Sequence, residues 1–303
     1  MNSINLQRNK KIYFASDFHL GYPDYQTSLI RERKIVNWLD CIKSDAQVIF
    51  LVGDIFDFWF EYKNVIPKGY IRLLGKLAEL SDSGTEIIIF AGNHDIWMFD
   101  YFTKELGIKV YREFQEYEVS VESSEFRVQS LESVETILEI NNQKIEQKDN
   151  QFYTFDSNPY TLNTKRSTFY LVHGDGLGPG DYGYKYLKKV FESKLSQWAF
   201  GWIHPQIGIS LATWWSGSRK DEERIKRELQ FRGDGEWLWH FAKEQEALEH
   251  HDFYIFGHRH LLLDLPVSDN SRYINLGQWA YDDENSCHFA VFDGEQLIVK
   301  KYI

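Results

Sequence analysis

Short runs of consecutive apolar residues alternate, in the first third of the chain, with segments in which apolar residues recur every three or four positions. The runs at 11–16, 46–52 and 85–91 have the length and composition of strands that are buried on both faces. The intervening segments, 28–44 and 67–80, have helical periodicity. This order of strand, helix, strand, helix and strand predicts a layered α/β fold with a parallel sheet.

The pattern changes beyond residue 111, and two segments interrupt the predicted strands. Residues 122–166 are polar, acidic and rich in Asn, Gln and Ser, which favours an insertion that is either an extended hairpin around 137–145 or partly mobile. Residues 181–251 have the pattern of several helices. We interpret them as a helical cap inserted between strands of one domain, 1–303.

Strands are predicted again around these insertions and at the end of the chain. A strand at 168–172 precedes the predicted cap, and another at 252–256 follows it. The remaining apolar segments alternate and turn at Asp293-Gly294, which predicts antiparallel strands that close a second sheet. These segments are 272–276, 287–292 and 297–302.

Composition and charge narrow the class of protein. A chain of 303 residues can bury the core of one large domain. The formal net charge of −11 argues against a nucleic-acid partner, because such proteins usually present a basic surface. The N-terminus is polar, and no apolar run approaches the roughly 18 residues that span a bilayer, so we expect a cytoplasmic protein. Two cysteines give no disulfide framework, and we expect both to be core residues.

Five predicted strands end in residues that can bind metal ions. An Asp or His after a strand is, taken singly, more often a turn or cap residue. The repetition changes this interpretation, because half of the ten histidines lie at strand ends. In open α/β sheets the carboxyl ends of the strands are where ligands bind. The residues are Asp17 and His19, Asp54, Asn93 and His94, His173, and His258 and His260.

The chemistry of this set indicates a pair of divalent ions. Side chains two positions apart in an extended segment point to the same side, so Asp17 and His19 are predicted to face one ion, and His258 and His260 likewise. Carboxylate, imidazole and amide donors suit Mn, Fe, Zn or Mg rather than a thiolate-binding metal. A central carboxylate, Asp54, can bridge two ions about 3.5–4 Å apart, which would lower the pKa of a shared water and hold a phosphoryl oxygen. These features are typical of a phosphate-ester or pyrophosphate hydrolase.

The ordered motifs resemble those of the calcineurin-like metallophosphoesterases. The motifs are Asp17-Phe-His19, Gly53-Asp54, Gly92-Asn93-His94-Asp95, His173-Gly-Asp175 and Gly257-His258-Arg-His260. The resemblance implies a four-layer αββα sandwich of two sheets, with one metal held by Asp17, His19, Asp54 and His260 and the other by Asp54, Asn93, His173 and His258. It further implies two ions such as Mn²⁺. It also implies that His94, oriented by Asp95, protonates the leaving oxygen or stabilises the phosphoryl oxygens.

Three features are similar to the UDP-2,3-diacylglucosamine pyrophosphatases of lipid A synthesis. They are the segment Ser16–Gly21, the segment Gly53–Trp59 and the helical insert before Gly257. This resemblance implies a hydroxide shared between two metals that cleaves the diphosphate, releasing UMP and 2,3-diacylglucosamine 1-phosphate. That group usually carries Arg at the position of His94, so this histidine matches the broader superfamily pattern.

The predicted cap combines aromatic and basic residues. Trp198, Trp202, Trp214 and Trp215 could receive acyl chains, or they could pack the cap against the core. Basic residues of the cap would meet the diphosphate or anionic lipids at the membrane face. The predicted substrate contacts are Asn93, His94, Lys185, Trp214, Trp215, Arg219 and Lys220.

Two other functions remain open from the sequence. The same dimetal chemistry could act on a soluble phosphodiester or nucleotide, because Asn93-His94 matches the general pattern. A metal-stabilised binding protein without turnover is the alternative from another class.

Overall fold

A computed structural model of the protein describes residues 1–121, 136–140, 143–148, 151–155, 165–178, 182–218, 229–281 and 286–303. The strands are, in chain order, β1 (Asn2–Leu6), β2 (Lys11–Ala15), β3 (Ala46–Val52), β4 (Glu86–Phe90), β5 (Lys109–Tyr111), β6 (Gln115–Val121), β7 (Thr136–Ile140), β8 (Gln143–Lys148), β9 (Gln151–Phe155), β10 (Lys165–Val172), β11 (Phe253–Phe256), β12 (Leu262–Pro266), β13 (Arg272–Leu276), β14 (His288–Phe292) and β15 (Leu297–Lys301). The helices are α1 (Tyr25–Ile42), α2 (Ile71–Asp82), α3 (Tyr101–Leu106), α4 (Tyr182–Glu192), α5 (Lys194–Gly201), α6 (Pro205–Ser218) and α7 (Trp237–Leu248).

Two six-stranded sheets pack face to face. The first has the order β1-β6-β10-β11-β13-β12, and the second has the order β15-β14-β2-β3-β4-β5. Helices α1, α2 and α3 cover the outer face of the second sheet, and α7 covers the outer face of the first. The prediction of a four-layer αββα sandwich is therefore confirmed.

The strand β3 shows why its sequence is a continuous apolar run. Val48, Phe50 and Val52 point into the core between the two sheets. Ile49 and Leu51 point to the opposite face, where they pack under the helices. Because successive side chains of a strand alternate between faces, a strand covered on both faces needs apolar residues at consecutive positions, as in 48–52.

The helix α2 begins four residues later than its pattern predicted. Gly69 and Tyr70 both have positive φ angles, 107° and 58°, which are incompatible with an α-helix. The first turn is held instead by Glu32 of α1, whose carboxylate accepts hydrogen bonds from the amides of Arg72 and Leu73 at 2.7 and 3.1 Å. This long-range cap fixes the start at Ile71.

The C-terminal strands differ from the prediction in their sheet membership. The strand β13 lies in the first sheet and runs parallel to β11, whereas β14 and β15 join the second sheet as antiparallel strands. The tail therefore contributes to both sheets instead of closing one.

The prediction for the cysteines was correct for Cys287, which is buried, and wrong for Cys41, which is exposed.

The two inserted segments also differ in extent from their predicted limits. In the described part of 122–166, β7, β8 and β9 form a separate antiparallel sheet, and β10 begins at Lys165. In 181–251, the last helix, α7, places Leu238 and Ala242 in the core against the first sheet. Among the described helices of this segment, α4, α5 and α6 contribute no side chain to the clusters that cover the two sheets, whereas α7 does. The helix α7 therefore belongs to the core, and the cap ends before it.

Candidate metal centre

The topology places the five predicted strand ends at one edge of the sandwich. The strands β2, β3 and β4 are adjacent and parallel in the second sheet, and β10 and β11 are adjacent and parallel in the first. Hydrogen bonds join the two edges directly. The amide of His258 donates to Asp17 Oδ2 at 3.0 Å, and His173 Nδ1 donates to the carbonyl of Val52 at 2.8 Å. Loops from both sheets therefore surround one cleft.

The backbone at these strand ends is strained rather than extended. Asp17, His19, Asp54, His258 and His260 all have φ angles between 44° and 66°, in the left-handed region. For residues with a Cβ this conformation costs roughly 1–2 kcal/mol each, and such residues concentrate at functional sites. The expectation that Asp17 and His19 converge through strand alternation was wrong, because β2 ends at Ala15 and a left-handed turn aims both side chains.

Glycine permits the close approach of these loops at two positions. A Cβ at Gly92 would overlap the carboxylate of Asp54, and a Cβ at Gly257 would lie 2.6 Å from Asp17 Oδ2. Any larger residue would displace one of these carboxylates. The glycines of the Gly-Asn-His and Gly-His-Arg-His motifs therefore serve to bring backbone against acidic side chains.

Two groups of potential metal ligands share one carboxylate. The first group contains Asp17, His19, Asp54 and His260, and the second contains Asp54, His173 and His258. Within each group the ligand atoms lie within 4.8 Å of one another. His260 Nε2 is 3.3 Å from Asp17 Oδ1, and His173 Nε2 is 3.3 Å from Asp54 Oδ2. Asp54 is thus the residue that the two groups share, and its role as a bridge between two ions stays a prediction.

Several buried ligand atoms make no hydrogen bond to any described residue. They are Asp17 Oδ1, Asn93 Oδ1 and His173 Nε2. Buried polar atoms without a hydrogen bond are costly, and two of these atoms, Asp17 Oδ1 and His173 Nε2, belong to the groups of potential ligands. His173 already donates its other ring nitrogen to the carbonyl of Val52, as metal-ligating histidines typically do. The donor set therefore fits divalent cations.

The ionisation of the cluster follows from burial and mutual charge. Burial opposes charge on Asp17 and Asp54, but the adjacent histidines outweigh it and hold the pKa of both carboxyls well below the ordinary value. Burial would lower the pKa of His173, yet Asp54 raises that pKa to about 10. Burial and then His173 lower the pKa of His258 to about 4. The carboxylates are ionised and attract cations, and a bound cation would displace the proton from His173.

His94 lies at the rim of this cluster and is held by a residue that the sequence analysis missed. Its Nδ1 donates to the carbonyl of Asp57 at 2.9 Å and lies 3.6 Å from the Asp57 carboxylate. The same carboxylate is 3.5 Å from His19 Nδ1, so Asp57 contacts two of the predicted site residues. The signal for it was the spacing Gly53-Asp54-Ile-Phe-Asp57 directly after the strand.

Asp95 contacts the backbone of the turns next to His94, and its role in orienting His94 stays a prediction from the resemblance. Its buried carboxylate accepts hydrogen bonds from the amides of Gly92 and Ile55 at 2.7 Å and of Phe56 at 3.3 Å. Burial and the charge of Asp54 raise the pKa of Asp95 to about 7. Asp95 therefore ties the Gly92 turn to the Asp54 turn and supports the site through the backbone.

The cap is attached to the core on one side of the cluster by a polar contact. The buried carboxylate of Asp175, two residues beyond His173, accepts a hydrogen bond from the Tyr184 hydroxyl at 2.7 Å and pairs with Lys188 Nζ at 2.8 Å. Both partners belong to α4. Burial raises the pKa of Asp175, but Lys188 outweighs this effect, so the net shift is downward.

An aromatic cluster forms the second attachment of the cap. Trp97 packs between Phe191 and Phe200 of the cap, with ring centroids 5.2 and 4.7 Å away. Its indole nitrogen donates to the carbonyl of Phe191 at 2.9 Å. Because Trp97 follows His94 by three residues, the cap is anchored close to the cluster on this side as well.

The predicted substrate contacts in the cap fall into three groups. Lys185 lies at the base of the cap, where Nζ donates to the carbonyl of Gly178 at 2.5 Å. Trp214 and Trp215 belong to α6, and their side chains are outside the described part of the chain. Arg219 and Lys220 lie outside the described residues altogether.

Among the described helices, none has the length and apolar character needed to cross a bilayer.

Comparisons with known proteins show which proteins the chain is similar to. The chain is 35% identical to the UDP-2,3-diacylglucosamine hydrolase of Porphyromonas gingivalis over 96% of this chain and 97% of that protein. It is 32% identical to the enzyme of the same name from Ectopseudomonas mendocina, over 32% of this chain and 38% of that protein. A solved archaeal phosphodiesterase is 13% identical and superposes with a TM-score of 0.37, covering 96% of this chain and 99% of the other.

A family model describes most of the chain. The model of the calcineurin-like phosphoesterases matches residues 10–262, a span that begins just before β2 and includes every candidate ligand. The two-sheet sandwich and the clustering of acidic and histidine side chains at its edge are the features that this match predicts. The chain therefore belongs to the calcineurin-like phosphoesterase family and is a hydrolase.

Proposed function

We propose that the protein hydrolyses the diphosphate of UDP-2,3-diacylglucosamine to UMP and 2,3-diacylglucosamine 1-phosphate. The observation that carries this proposal is the similarity to the Porphyromonas gingivalis hydrolase, which extends over nearly the full length of both chains. The cap supports the same substrate class, since an amphiphile needs an apolar surface next to the reacting diphosphate.

We assign two divalent ions, Mn²⁺ in the first instance, to the shared cluster. Asp17, His19, Asp54 and His260 would hold one ion, and Asp54, Asn93, His173 and His258 would hold the other. Bound ions of this kind polarise phosphoryl oxygens and lower the pKa of water. The protein's contribution is to keep these ligands fixed, through His173 on the Val52 carbonyl and Asp17 on the His258 amide.

His94 is the proposed proton donor to the leaving oxygen. Its Nδ1 must carry a proton, because its partner, the Asp57 carbonyl, can only accept a hydrogen bond. The Asp57 carboxylate lies 3.6 Å from the same nitrogen, so the proton transferred to the leaving oxygen would come from the other ring nitrogen, Nε2. Asp57 thus positions His94, and Asp95 holds the turn that carries it.

The cap is the proposed site for the lipid part of the substrate. Its described helices expose several large apolar side chains, among them Trp198 and Trp202, which are 63% and 76% exposed. Lys189 and Lys194 are exposed on the same helices. Exposed aromatic and basic residues together suit acyl chains and anionic head groups, so we propose that the protein works at the cytoplasmic face of the membrane. Lys185, Trp214, Trp215, Arg219 and Lys220 remain proposed substrate contacts.

The direct test is product release from the lipid substrate. Purified protein with Mn²⁺ should release UMP from UDP-2,3-diacylglucosamine, and chelation of the metal should stop the reaction. If no UMP forms with Mn²⁺, Fe²⁺, Zn²⁺ or Mg²⁺, this substrate is excluded.

Substitution of the shared carboxylate tests the metal assignment. Asp54→Ala should abolish activity and reduce bound metal to one equivalent or none, because Asp54 belongs to both groups of ligands. Metal content is measured by mass spectrometry after dialysis. Asp40→Ala, which removes a half-exposed carboxylate on α1 that pairs with lysines, is the control and should retain the full metal content. Two equivalents of metal in Asp54→Ala would contradict the bridging role.

A soluble phosphodiester or nucleotide is the second candidate substrate. It is favoured by His94, which matches the general family pattern at a position where the lipid pyrophosphatases usually carry Arg. Rates on a panel of nucleotides and aryl phosphodiesters separate the two candidates, since a lipid enzyme should be slow on all of them. A protein that binds two metals but turns over none of these substrates would instead support the binding-protein hypothesis.

A further inference from the structure

Two tyrosines lie beside the candidate metal centre, next to His260. Tyr22 belongs to the loop after β2, and Tyr281 lies in the segment after β13. Their rings meet edge to face with centroids 5.9 Å apart. The Tyr281 ring is also 6.2 Å from the His260 ring. Both tyrosines are half-buried, so part of each side chain is exposed to solvent close to His260.

The sheet order places this pair on the side of the metal centre that is opposite the cap. In the second sheet, the loop of Tyr22 follows β2, Asp54 follows β3, and the cap contact Trp97 follows β4. In the first sheet, Tyr281 follows β13, His258 and His260 follow β11, and the cap contact Asp175 follows β10. Asp54 in the second sheet and His258 and His260 in the first therefore lie between the cap contacts and the tyrosines, and the other candidate ligands follow the flanking strands. A substrate centred on the cluster with one half under the cap extends its other half toward Tyr22 and Tyr281.

A buried arginine fixes the two loops that carry the pair. Arg31 of α1 donates from Nη1 to the carbonyls of His19 and Tyr22, both at 2.9 Å, and from Nη2 to the carbonyl of Ala280 at 2.6 Å. A single guanidinium thus bridges residues from both sheets with charge-assisted hydrogen bonds. This arrangement holds the two tyrosines in place before any ligand binds, which reduces the entropy lost on binding.

We propose that Tyr22 and Tyr281 form the binding site for the nucleobase of the substrate. A planar base can stack on a tyrosine ring, and its phosphate would then reach the metal centre past His260. This inference rests on the proposed function in one respect, namely that the substrate carries a nucleotide. It adds where the nucleotide half binds and which residues recognise it.

Calorimetric titration of the full-length Mn²⁺-loaded protein with UMP and with ribose 5-phosphate tests the site. The two probes share the phosphate and the ribose and differ in the base. Wild type should bind UMP about 5- to 150-fold more tightly, the range expected for stacking of one base. Tyr281→Leu and Tyr22→Leu should lower UMP affinity to that of ribose 5-phosphate without changing the latter. Tyr281→Phe should keep the preference, because the aromatic face remains.

Phe114→Leu is the matched control for the tyrosine variants. It removes a half-exposed ring that stacks on Tyr170, away from the loops of Tyr22 and Tyr281, and should leave both affinities unchanged. Equal binding of the two probes by wild type, or an undiminished preference in both leucine variants, would overturn the inference. If the preference and its loss are observed but the lipid is not cleaved, the base site stands and the proposed substrate fails. If the lipid is cleaved and no preference exists, only the base site fails.

Discussion

Single residues decide whether the cluster can hold cations, and Gly92 is the sharpest case. Gly92→Ala would force a methyl group into the Asp54 carboxylate, so we expect a 10- to 100-fold loss of metal affinity, roughly the effect of disturbing a ligand's support. Activity should fall with it while the fold remains. Metal titration and circular dichroism measure the two effects.

Gly75→Ala is the control for that substitution. Gly75 lies inside α2, and a Cβ there meets nothing within 4 Å. Replacement should therefore raise the free energy of unfolding by about 0.5–1 kcal/mol and leave metal binding unchanged. Equal metal affinity of wild type and Gly92→Ala would show that the close approach to Asp54 is not needed.

For single residues, the sequence predicted which side chains cluster at the strand ends better than it predicted their backbone conformation. Strand-end position and residue type were sufficient to select Asp17, Asp54 and His173, because parallel strands bring their carboxyl ends together. The conformation of Asp17 could not be predicted, since left-handed turns at non-glycine residues are unfavourable locally and are imposed by tertiary contacts. Asp57 was also missed because its contact with His94 is a tertiary contact, which only the folded turn produces.

Between elements, one carboxylate joins α7 to the adjacent strands. Glu246 accepts hydrogen bonds from His250 Nδ1 and Ser268 Oγ at 2.8 Å and from Ser271 Oγ at 2.7 Å. The Tyr254 hydroxyl donates to its other oxygen at 2.9 Å. Burial would raise the pKa of Glu246, but the hydrogen bonds led by that of His250 outweigh it and lower the pKa to about 2.

This depressed pKa predicts a pH-dependent contribution to stability. The folded-state pKa is below the unfolded value, so the contribution is complete above about pH 4.5 and is lost as the pH falls toward 2. Glu246→Gln should lower the free energy of unfolding by about 1–3 kcal/mol at pH 7, with a smaller difference at pH 3. Urea unfolding at both pH values measures this difference in the free energy of unfolding. Glu244→Gln, at an exposed position, is the control. A difference that is the same at both pH values would contradict the assignment.

The sequence predicted the strand that is buried on both faces, but it did not predict the strand at the edge of a sheet. The strand β3 is buried on both faces and was predicted from its apolar run. The strand β1 was not predicted, because it lies at a sheet edge and buries only Ile4 and Leu6. A short alternating segment gives little signal, and its pairing with β6, more than 100 residues away, is a tertiary property.

For the whole molecule, the sequence predicted the layers but not the division between cap and core. Helical periodicity predicted helices throughout this part of the chain, but it could not show that α7 packs on the first sheet while α4 contacts Asp175 beside the candidate ligands. The helices differ in what their apolar side chains contact. Leu238 of α7 is fully buried, whereas the helix α5 buries none of its residues completely.

That exposure leads to a prediction about substrate capture by the cap. The ring centroids of Trp198 and Trp202 are 6.0 Å apart, and most of the surface of each side chain is exposed to solvent. Replacing both with Gln should therefore change the free energy of unfolding by less than about 0.5 kcal/mol. If they cover acyl chains, each loss of burial costs about 1.5–3 kcal/mol of binding, and KM for the lipid substrate should rise at least about tenfold. Hydrolysis of bis(p-nitrophenyl) phosphate should not change, because the metal centre is untouched.

The comparison of the two substrates separates a lipid-binding role from a structural one. Leu248→Gln, at the exposed end of α7, removes an apolar side chain outside the cap and should alter neither reaction. Parallel losses on both substrates in the Trp198→Gln, Trp202→Gln variant would mean that the tryptophans support the fold of the site. An unchanged KM for the lipid would place the acyl chains elsewhere. A selective rise in KM is the result expected if the cap evolved to take an amphiphile out of a membrane, since only the lipid substrate uses that surface.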